Sequence, residues 1–284
     1  MRPSLRDDGK NVVIIGGTGQ MGRLFQAIFE EAGCLVEVTG RASAEEYRAL
    51  AQAAGVVLVT VPIQATEAVI RDIAPVLKPD QLIADLTSLK VMPVAAMMES
   101  DAQVIGLHPL FGPNMATLRG QKMIMTPVRA DDRTHAWLSG ICMAAGMHLH
   151  ETSPEEHDRA MAIMQGLVHV QSISLAHTLR IMNLRIPDLL PFATPNAHAS
   201  LAFMARTLAQ DPDLYGGMLL GNPDLDLVIR TYISSMKEIG DCIRDKGEEE
   251  FRQEFEADST FVLPMQKDAI PLTNKLLDLV VEEW

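Results

Sequence analysis

The sequence predicts a mostly parallel, doubly wound α/β sheet over residues 1–151, followed by an all-helical domain over residues 152–284. Three observations carry this reading. A β-branched run, Asn11–Ile15, passes directly into a glycine-rich turn and an apolar helical pattern. Further strand-like runs, nearly continuous in apolar residues, recur at intervals long enough to hold a helix, which is the signature of strands covered on both faces. Beyond Ser153 the strand-like alternation stops and only helical patterning remains.

Taken in order, the first turn reads Gly17-Thr18-Gly19-Gln20-Met21-Gly22, a G-x-G-x-x-G. The helix behind it shows Met21, Leu24, Phe25, Ile28 and Phe29 on one face and ends at Gly33. A second strand, Leu35–Val38, completes strand, glycine turn, helix, strand. That order suits a dinucleotide: glycines let backbone N–H groups approach a pyrophosphate at a helix N-terminus. The unit is therefore read as a Rossmann domain, with Gly17, Thr18, Gly19, Gln20, Met21 and Gly22 as cofactor-binding candidates. The bland alternative is a glycine turn that binds nothing.

The end of the second strand indicates which dinucleotide. NAD-binding versions place an Asp or Glu about 20 residues beyond the motif to hold the ribose hydroxyls. Here the chain reads Thr39-Gly40-Arg41-Ala42-Ser43, and Glu37 lies inside the strand with the wrong phase. A guanidinium binds phosphate oxygens as a fork, so Thr39 and Arg41 favour NADP over NAD.

Further strands are read at 55–62, 80–85, 103–107, 122–126 and 147–150. Ligands of open parallel sheets bind outside the carboxyl ends of the strands. Val61, Pro62, Ser88 and His108 fall at or just past such ends, which places them around one crevice. His108 sits in Gly106-Leu-His-Pro-Leu-Phe-Gly-Pro-Asn114, between a strand and two prolines.

Ser153-Pro154-Glu155-Glu156 starts a helix, with Ser as N-cap, Pro at the first position and Glu at the third. The helix is expected to run to about Asn183. Asp158, Gln165 and His169 then share a stripe within about 20°, yet Asp158 and His169 stand roughly 16 Å apart along the axis. One small ligand cannot touch both on one helix. Helices are also expected at 199–209, 223–246, 248–257 and 264–283.

The formal net charge of −13 excludes a nucleic-acid or anionic-membrane surface as the natural partner. No run of 18 apolar residues exists, and the N-terminus lacks the apolar core of a signal peptide. Cys34, Cys142 and Cys242 fit no metal spacing and read as reduced core thiols of a cytoplasmic protein.

GGTGQMGRLF, VTVPIQATE, DLTSLK, GLHPLFGP, EEHDRAM and RTLAQDPDLY together resemble, in order and spacing, the prephenate dehydrogenase family, above all the dehydrogenase half of the bifunctional enteric enzymes. The likeness covers residues 11–220 clearly and the tail loosely. It implies NAD(P)-dependent oxidative decarboxylation of a small dicarboxylate by a homodimer joined through the helical domain. It also implies roles: His108 as catalytic base, Ser88 as its hydrogen-bonding partner, and Arg206 as a carboxylate clamp. His169, Tyr215 and Gln210 become substrate-binding residues, as does Asp158, contributed across the dimer. Prephenate is the expected substrate. Thr194-Pro-Asn-Ala-His198 replaces the enteric Ser-Pro-x-Tyr-Arg, which keeps arogenate and 4-amino-4-deoxyprephenate open. A β-hydroxyacid or imine dehydrogenase would normally use a lysine on the long helix, and positions 158–183 hold none. A catalytically dead NADP-sensing protein is disfavoured by His108, Ser88 and Arg206 occurring together.

Overall fold

The computed structural model describes residues 11–283. The chain divides into two compact units, one reaching to Met161 and including Gly216–Pro223, the other comprising residues 162–215 and 224–284.

The first unit alternates strand and helix. In order these are β1 (Asn11–Ile15), α1 (Gln20–Glu31), β2 (Leu35–Thr39), α2 (Ala44–Ala53), β3 (Val56–Val59), α3 (Ile63–Ile73), β4 (Leu82–Asp85), α4 (Val91–Met98) and β5 (Gln103–Pro109). Then come β6 (Lys122–Arg129), α5 (Asp132–Ala144), β7 (His148–Glu151) and α6 (Pro154–Met161). The seven strands lie in the order β2-β1-β3-β4-β5-β6-β7. All neighbouring pairs are parallel except β5 with β6. The chain winds outward from β1 to β2 and returns across β1 to β3, so the switch point lies between β1 and β3. That is where such sheets take their ligands.

Side chains alternate across the central strands and both faces are covered. Val12, Ile14, Val56, Leu58, Ile105 and Leu107 pack with Phe25, Ile28 and Phe29 of α1. Val13, Ile15, Val57, Val59, Ile83 and Val104 pack with Tyr47, Ile70, Ile73 and Met97. Each such aliphatic side chain, fully buried, contributes about 1.5–3 kcal/mol, so the strand ends are held on a rigid base.

The domain boundary is expected after residue 151, and the first compact unit also takes in α6. The cause is polar: His157 and Asp158 of α6 hydrogen-bond into the sheet domain, as described below. The cap of α6 is as read from sequence, with Ser153 Oγ accepting from Glu156 N at 3.1 Å. Glu156 closes the capping box: its carboxylate accepts from the Thr152 hydroxyl at 2.8 Å and from the Ser153 backbone N–H, which lowers its pKa.

The second unit is helical among its described residues: α7 (Val168–Ile181), α8 (Ile186–Leu189), α9 (Pro195–Leu208), the first turn of α10 (Pro212–Leu220), α11 (Leu225–Asp241) and α12 (Glu248–Glu283). Two departures from expectation matter. Ala162–Leu167 winds as a π-helix, so the 100° step used to align Asp158 with Gln165 and His169 does not hold across that stretch. The segments expected at 248–257 and 264–283 form one 36-residue helix that passes through Pro264 and Pro271. Proline removes one donor and bends a helix without necessarily ending it. No helix among the described residues is long and apolar enough to cross a membrane.

Candidate active site

The glycine turn forms the floor at the switch point. Gly16 and Gly17 both donate backbone N–H groups to Thr39 O, at 2.9 and 3.0 Å, fastening β1 to the end of β2. Gly16, just outside the motif, is the residue with positive φ (82°), and a Cβ there would lie 2.8 Å from the Thr60 carbonyl carbon and Val61 N. At Gly22 a Cβ would lie 2.4 Å from Gly17 Cα, so α1 packs directly on the turn. Gly19 caps α1 without a side-chain hydrogen bond. The first-turn N–H groups are thus left for an external acceptor, which a pyrophosphate fits. Thr18, Val61 and Pro62 lie on the same strand ends.

Arg41 is exposed at the start of the loop after β2. Its loop is pinned by a residue that sequence reasoning passed over: Tyr47 Oη donates to Gly40 O at 2.9 Å and accepts from Ala42 N at 3.2 Å. Ser43 caps α2 by accepting from Glu46 N.

The histidine end lies three strands away. His108 is not past the strand but within β5, opposite Ile124 of β6. Since Asp85 pairs with Gly106, β5 extends beyond the end of β4 and carries His108 out past it. His108 is 2% exposed. Its Nδ1 lies 2.8 Å from His157 Nε2, with the rings edge-on at 70°. His157 Nδ1 lies 2.7 Å from Asp158 Oδ1. A carboxylate only accepts, so His157 donates from Nδ1, and in its neutral form it presents a lone pair at Nε2. His108 must then donate from Nδ1, which leaves its basic lone pair on Nε2. Burial first, then the neighbouring His157 and Lys90, hold the His108 imidazole well below its ordinary value of 6.5. The ring is therefore neutral at physiological pH, the state a general base requires.

Asp158 is expected as a substrate-binding carboxylate contributed across the dimer; within one chain it is buried. Its side chain is 3% exposed. Oδ1 accepts from Lys90 N at 2.8 Å as well as from His157, and Oδ2 accepts from Val91 N at 2.9 Å. It caps α4 from α6 and orients His157. Asn222 Nδ2 donates to its carbonyl at 2.8 Å. Ser88 is half-buried in the loop between β4 and α4, two residues before Lys90. The hydrogen bonds inside this loop are made by Thr87, whose N–H donates to Asp85 Oδ2 at 2.9 Å.

Of the helical-unit candidates, His169 and Tyr215 meet edge-on, ring centroids 4.8 Å apart. Burial lowers the His169 pKa. Arg206 lies exposed in the last turn of α9 and its carbonyl accepts from Gln210 Nε2 at 3.3 Å. Sequence reasoning missed His157, although it quoted the EEHDRAM stretch; a His beside an Asp at a helix start was the available signal.

A doubly wound sheet with a glycine turn at its switch point, and a buried histidine paired with a His–Asp couple at its carboxyl edge, define the class of Rossmann-type nucleotide-binding proteins. Comparison with known proteins makes this specific. Residues 4–142 match the family model of the prephenate dehydrogenase nucleotide-binding domain, and residues 153–257 that of the prephenate dehydrogenase dimerization domain. The chain belongs to the prephenate dehydrogenase family. It is 32% identical over 268 residues to a probable arogenate/prephenate dehydrogenase of Methanocaldococcus jannaschii, covering 87% of this chain and 60% of the relative. To the T-protein of Enterobacter agglomerans it is 34% identical over 222 residues, covering 78% and 59%. The chain thus spans about three-fifths of these relatives' length. A 4-amino-4-deoxyprephenate dehydrogenase of Streptomyces pristinaespiralis is 24% identical over 257 residues, covering 84% and 86%. The fold matches the crystal structure of Aquifex aeolicus prephenate dehydrogenase in complex with hydroxyphenyl propionate and NAD+, with TM-score 0.71 and 19% identity over 90% of this chain and 98% of that one.

Proposed function

We propose that the chain is a cytoplasmic, homodimeric dehydrogenase that prefers NADP and oxidatively decarboxylates prephenate to 4-hydroxyphenylpyruvate. The observation that carries the reading is the hydrogen-bonded series His108–His157–Asp158 at the carboxyl edge of a nucleotide-binding sheet.

The residues fit a nicotinamide dinucleotide. Gly17, Thr18, Gly19, Gln20, Met21 and Gly22 would hold the pyrophosphate, Thr39 and Arg41 the adenosine ribose and its phosphate, and Val61 and Pro62 the path between. Bound there, that cofactor supplies a hydride acceptor. The rest is the work of the chain. His108 Nε2 takes the proton of the ring 4-hydroxyl as the carbon bearing it becomes carbonyl-like. His108 can then pass its Nδ1 proton to His157 Nε2, which moves the positive charge next to the Asp158 carboxylate. Ser88 is proposed to hydrogen-bond the same hydroxyl. Arg206, His169, Tyr215 and Gln210 are proposed to bind the substrate, with Arg206 gripping a carboxylate as a fork. The match of residues 153–257 to a dimerization domain supports the homodimer. So do the exposed apolar side chains of α11 and α12, among them Ile233, Met236, Phe261 and Leu272.

A second reading keeps the same chemistry on a prephenate analogue, arogenate or 4-amino-4-deoxyprephenate. The names of the Methanocaldococcus and Streptomyces relatives favour it. The deciding experiment offers each of the three compounds with NAD and with NADP and follows nicotinamide reduction by absorbance. The proposal expects the highest kcat/KM for prephenate with NADP. A higher value for either analogue replaces the substrate, and a higher value with NAD replaces the cofactor.

A further inference from the structure

One buried cation has no part in the chemistry just described. Lys90 is fully buried, as is Asp85, and Lys90 Nζ donates to Asp85 Oδ2 at 2.5 Å. The same ammonium donates to Leu107 O at 2.7 Å, the carbonyl of the residue preceding His108. The Lys90 backbone N–H donates to Asp158 Oδ1, the oxygen that also accepts from His157. Lys90 therefore touches both ends of the histidine series: the strand that carries His108 through its side chain, and the carboxylate that orients His157 through its main chain.

We propose that Lys90 is a positioning residue for His108, closing the path Leu107–His108–His157–Asp158 into a ring and setting the charge environment in which His108 works. The inference rests on the reading of His108 as the base. The ring fixes the distance between β5 and α6, and so the His108–His157 hydrogen bond that selects the His108 tautomer. Its charge acts on the same imidazole: Lys90 is among the causes that hold the His108 pKa down, after burial and His157. Burial lowers the pKa of Lys90 itself, and Asp85 opposes that shift. Titratable groups near His108 include His157 from α6, with its partner Asp158, and Lys90 from the loop after β4, with its partner Asp85. β6 places the apolar Ile124 opposite the ring. Asp85 Oδ1 is buried with no hydrogen-bond partner, so this carboxylate is held by Lys90 and Thr87 through one oxygen only.

The test is the pH profile of kcat/KM for prephenate in Lys90→Met, which keeps the aliphatic stem and removes donor and charge. Because Lys90→Met strands the Asp85 carboxylate, the double variant Lys90→Met/Asp85→Asn is measured beside it, and melting temperature confirms folding. The expected result in whichever variant folds is a fall in kcat of at least about tenfold with the cofactor KM within about twofold. The acidic limb of the profile should also move upward by about one pH unit. A lysine that merely stabilised the fold would lower the melting temperature and leave the limb where it is. An unmoved limb, or a wild-type kcat, overturns the proposal. His108→Asn is run in parallel. Wild-type turnover there removes the base assignment itself, whereas collapse of His108→Asn with an unmoved limb in the Lys90 variants removes only the role of Lys90.

Discussion

Replacing His157 with Phe tests whether the histidine series works as a unit. Phe keeps a planar ring in the space but neither accepts from His108 Nδ1 nor donates to Asp158 Oδ1, bonds of 2.8 and 2.7 Å in the structure. His108 is 2% exposed, so the hydrogen bond lost is a buried one. Leaving one buried donor unsatisfied costs about 1–3 kcal/mol. If that cost is paid by His108 leaving its productive tautomer or orientation, it appears in the barrier. At about 1.4 kcal/mol per tenfold, kcat falls roughly 5- to 150-fold. The loss should stay below that of deleting the base, for which general-base catalysis allows about 10²–10⁴-fold. The assay is steady-state nicotinamide reduction with saturating prephenate and varied cofactor, with circular dichroism melting to confirm the fold. Cofactor KM should change less than about twofold, because the glycine turn stands three strands away. His157 is also among the causes that depress the His108 pKa, so the acidic limb of kcat/KM should rise. A His157→Phe enzyme with wild-type kcat and an unmoved limb would refute the relay.

Gly22→Ala should be severe, since its Cβ would sit 2.4 Å from Gly17 Cα; overpacking of this kind costs about 1–3 kcal/mol, read as a lower melting temperature together with weakened cofactor binding by fluorescence titration. Arg41→Ala should raise KM for NADP by about tenfold or more, the loss of a charge-assisted hydrogen bond, with KM for NAD within about twofold; equal effects on both cofactors would place Arg41 outside the phosphate site. His108 also makes stability depend on pH. Its folded pKa is depressed below 6.5, so below 6.5 the unfolded chain binds a proton that the folded one does not, and stability falls as pH drops until the folded pKa is reached, at up to about 1.4 kcal/mol per pH unit. His108→Asn should flatten the melting-temperature profile across that window, and an unchanged slope would show that His108 does not titrate there.

The sheet was legible because its physics is local. Near-continuous apolar runs such as Val56–Val59 suit a strand buried on both faces, and the turn after β1 needs glycines whatever follows. His108 could be singled out because strand order alone places it at the carboxyl edge. The parts that escaped are those in which a side chain acts at long range. Lys90 reads as a surface lysine until β5 and α6 are seen to close over it. His157 lies 49 residues from His108 and was overshadowed by the adjacent Asp158. That Asp158, read on an ideal helix, faced a shared stripe with His169; the π-turn at Ala162–Leu167 removes the common phase. α12 was read as two segments, 248–257 and 264–283, and Pro264, the first residue of the second, is an interior residue of one helix. Tyr47 illustrates the same limit: its helix position marks it as core, and only the fold shows its hydroxyl holding the loop of Arg41.

The central claim is that His108 is the base that accepts the ring hydroxyl proton. Its most direct test is the single-turnover rate of prephenate oxidation with NADP in wild type and in His108→Asn, with cofactor affinity measured on the same samples. The account predicts a fall of about 10²–10⁴-fold in that rate with cofactor affinity within about twofold. A His108→Asn enzyme that turns over prephenate at the wild-type rate would contradict it.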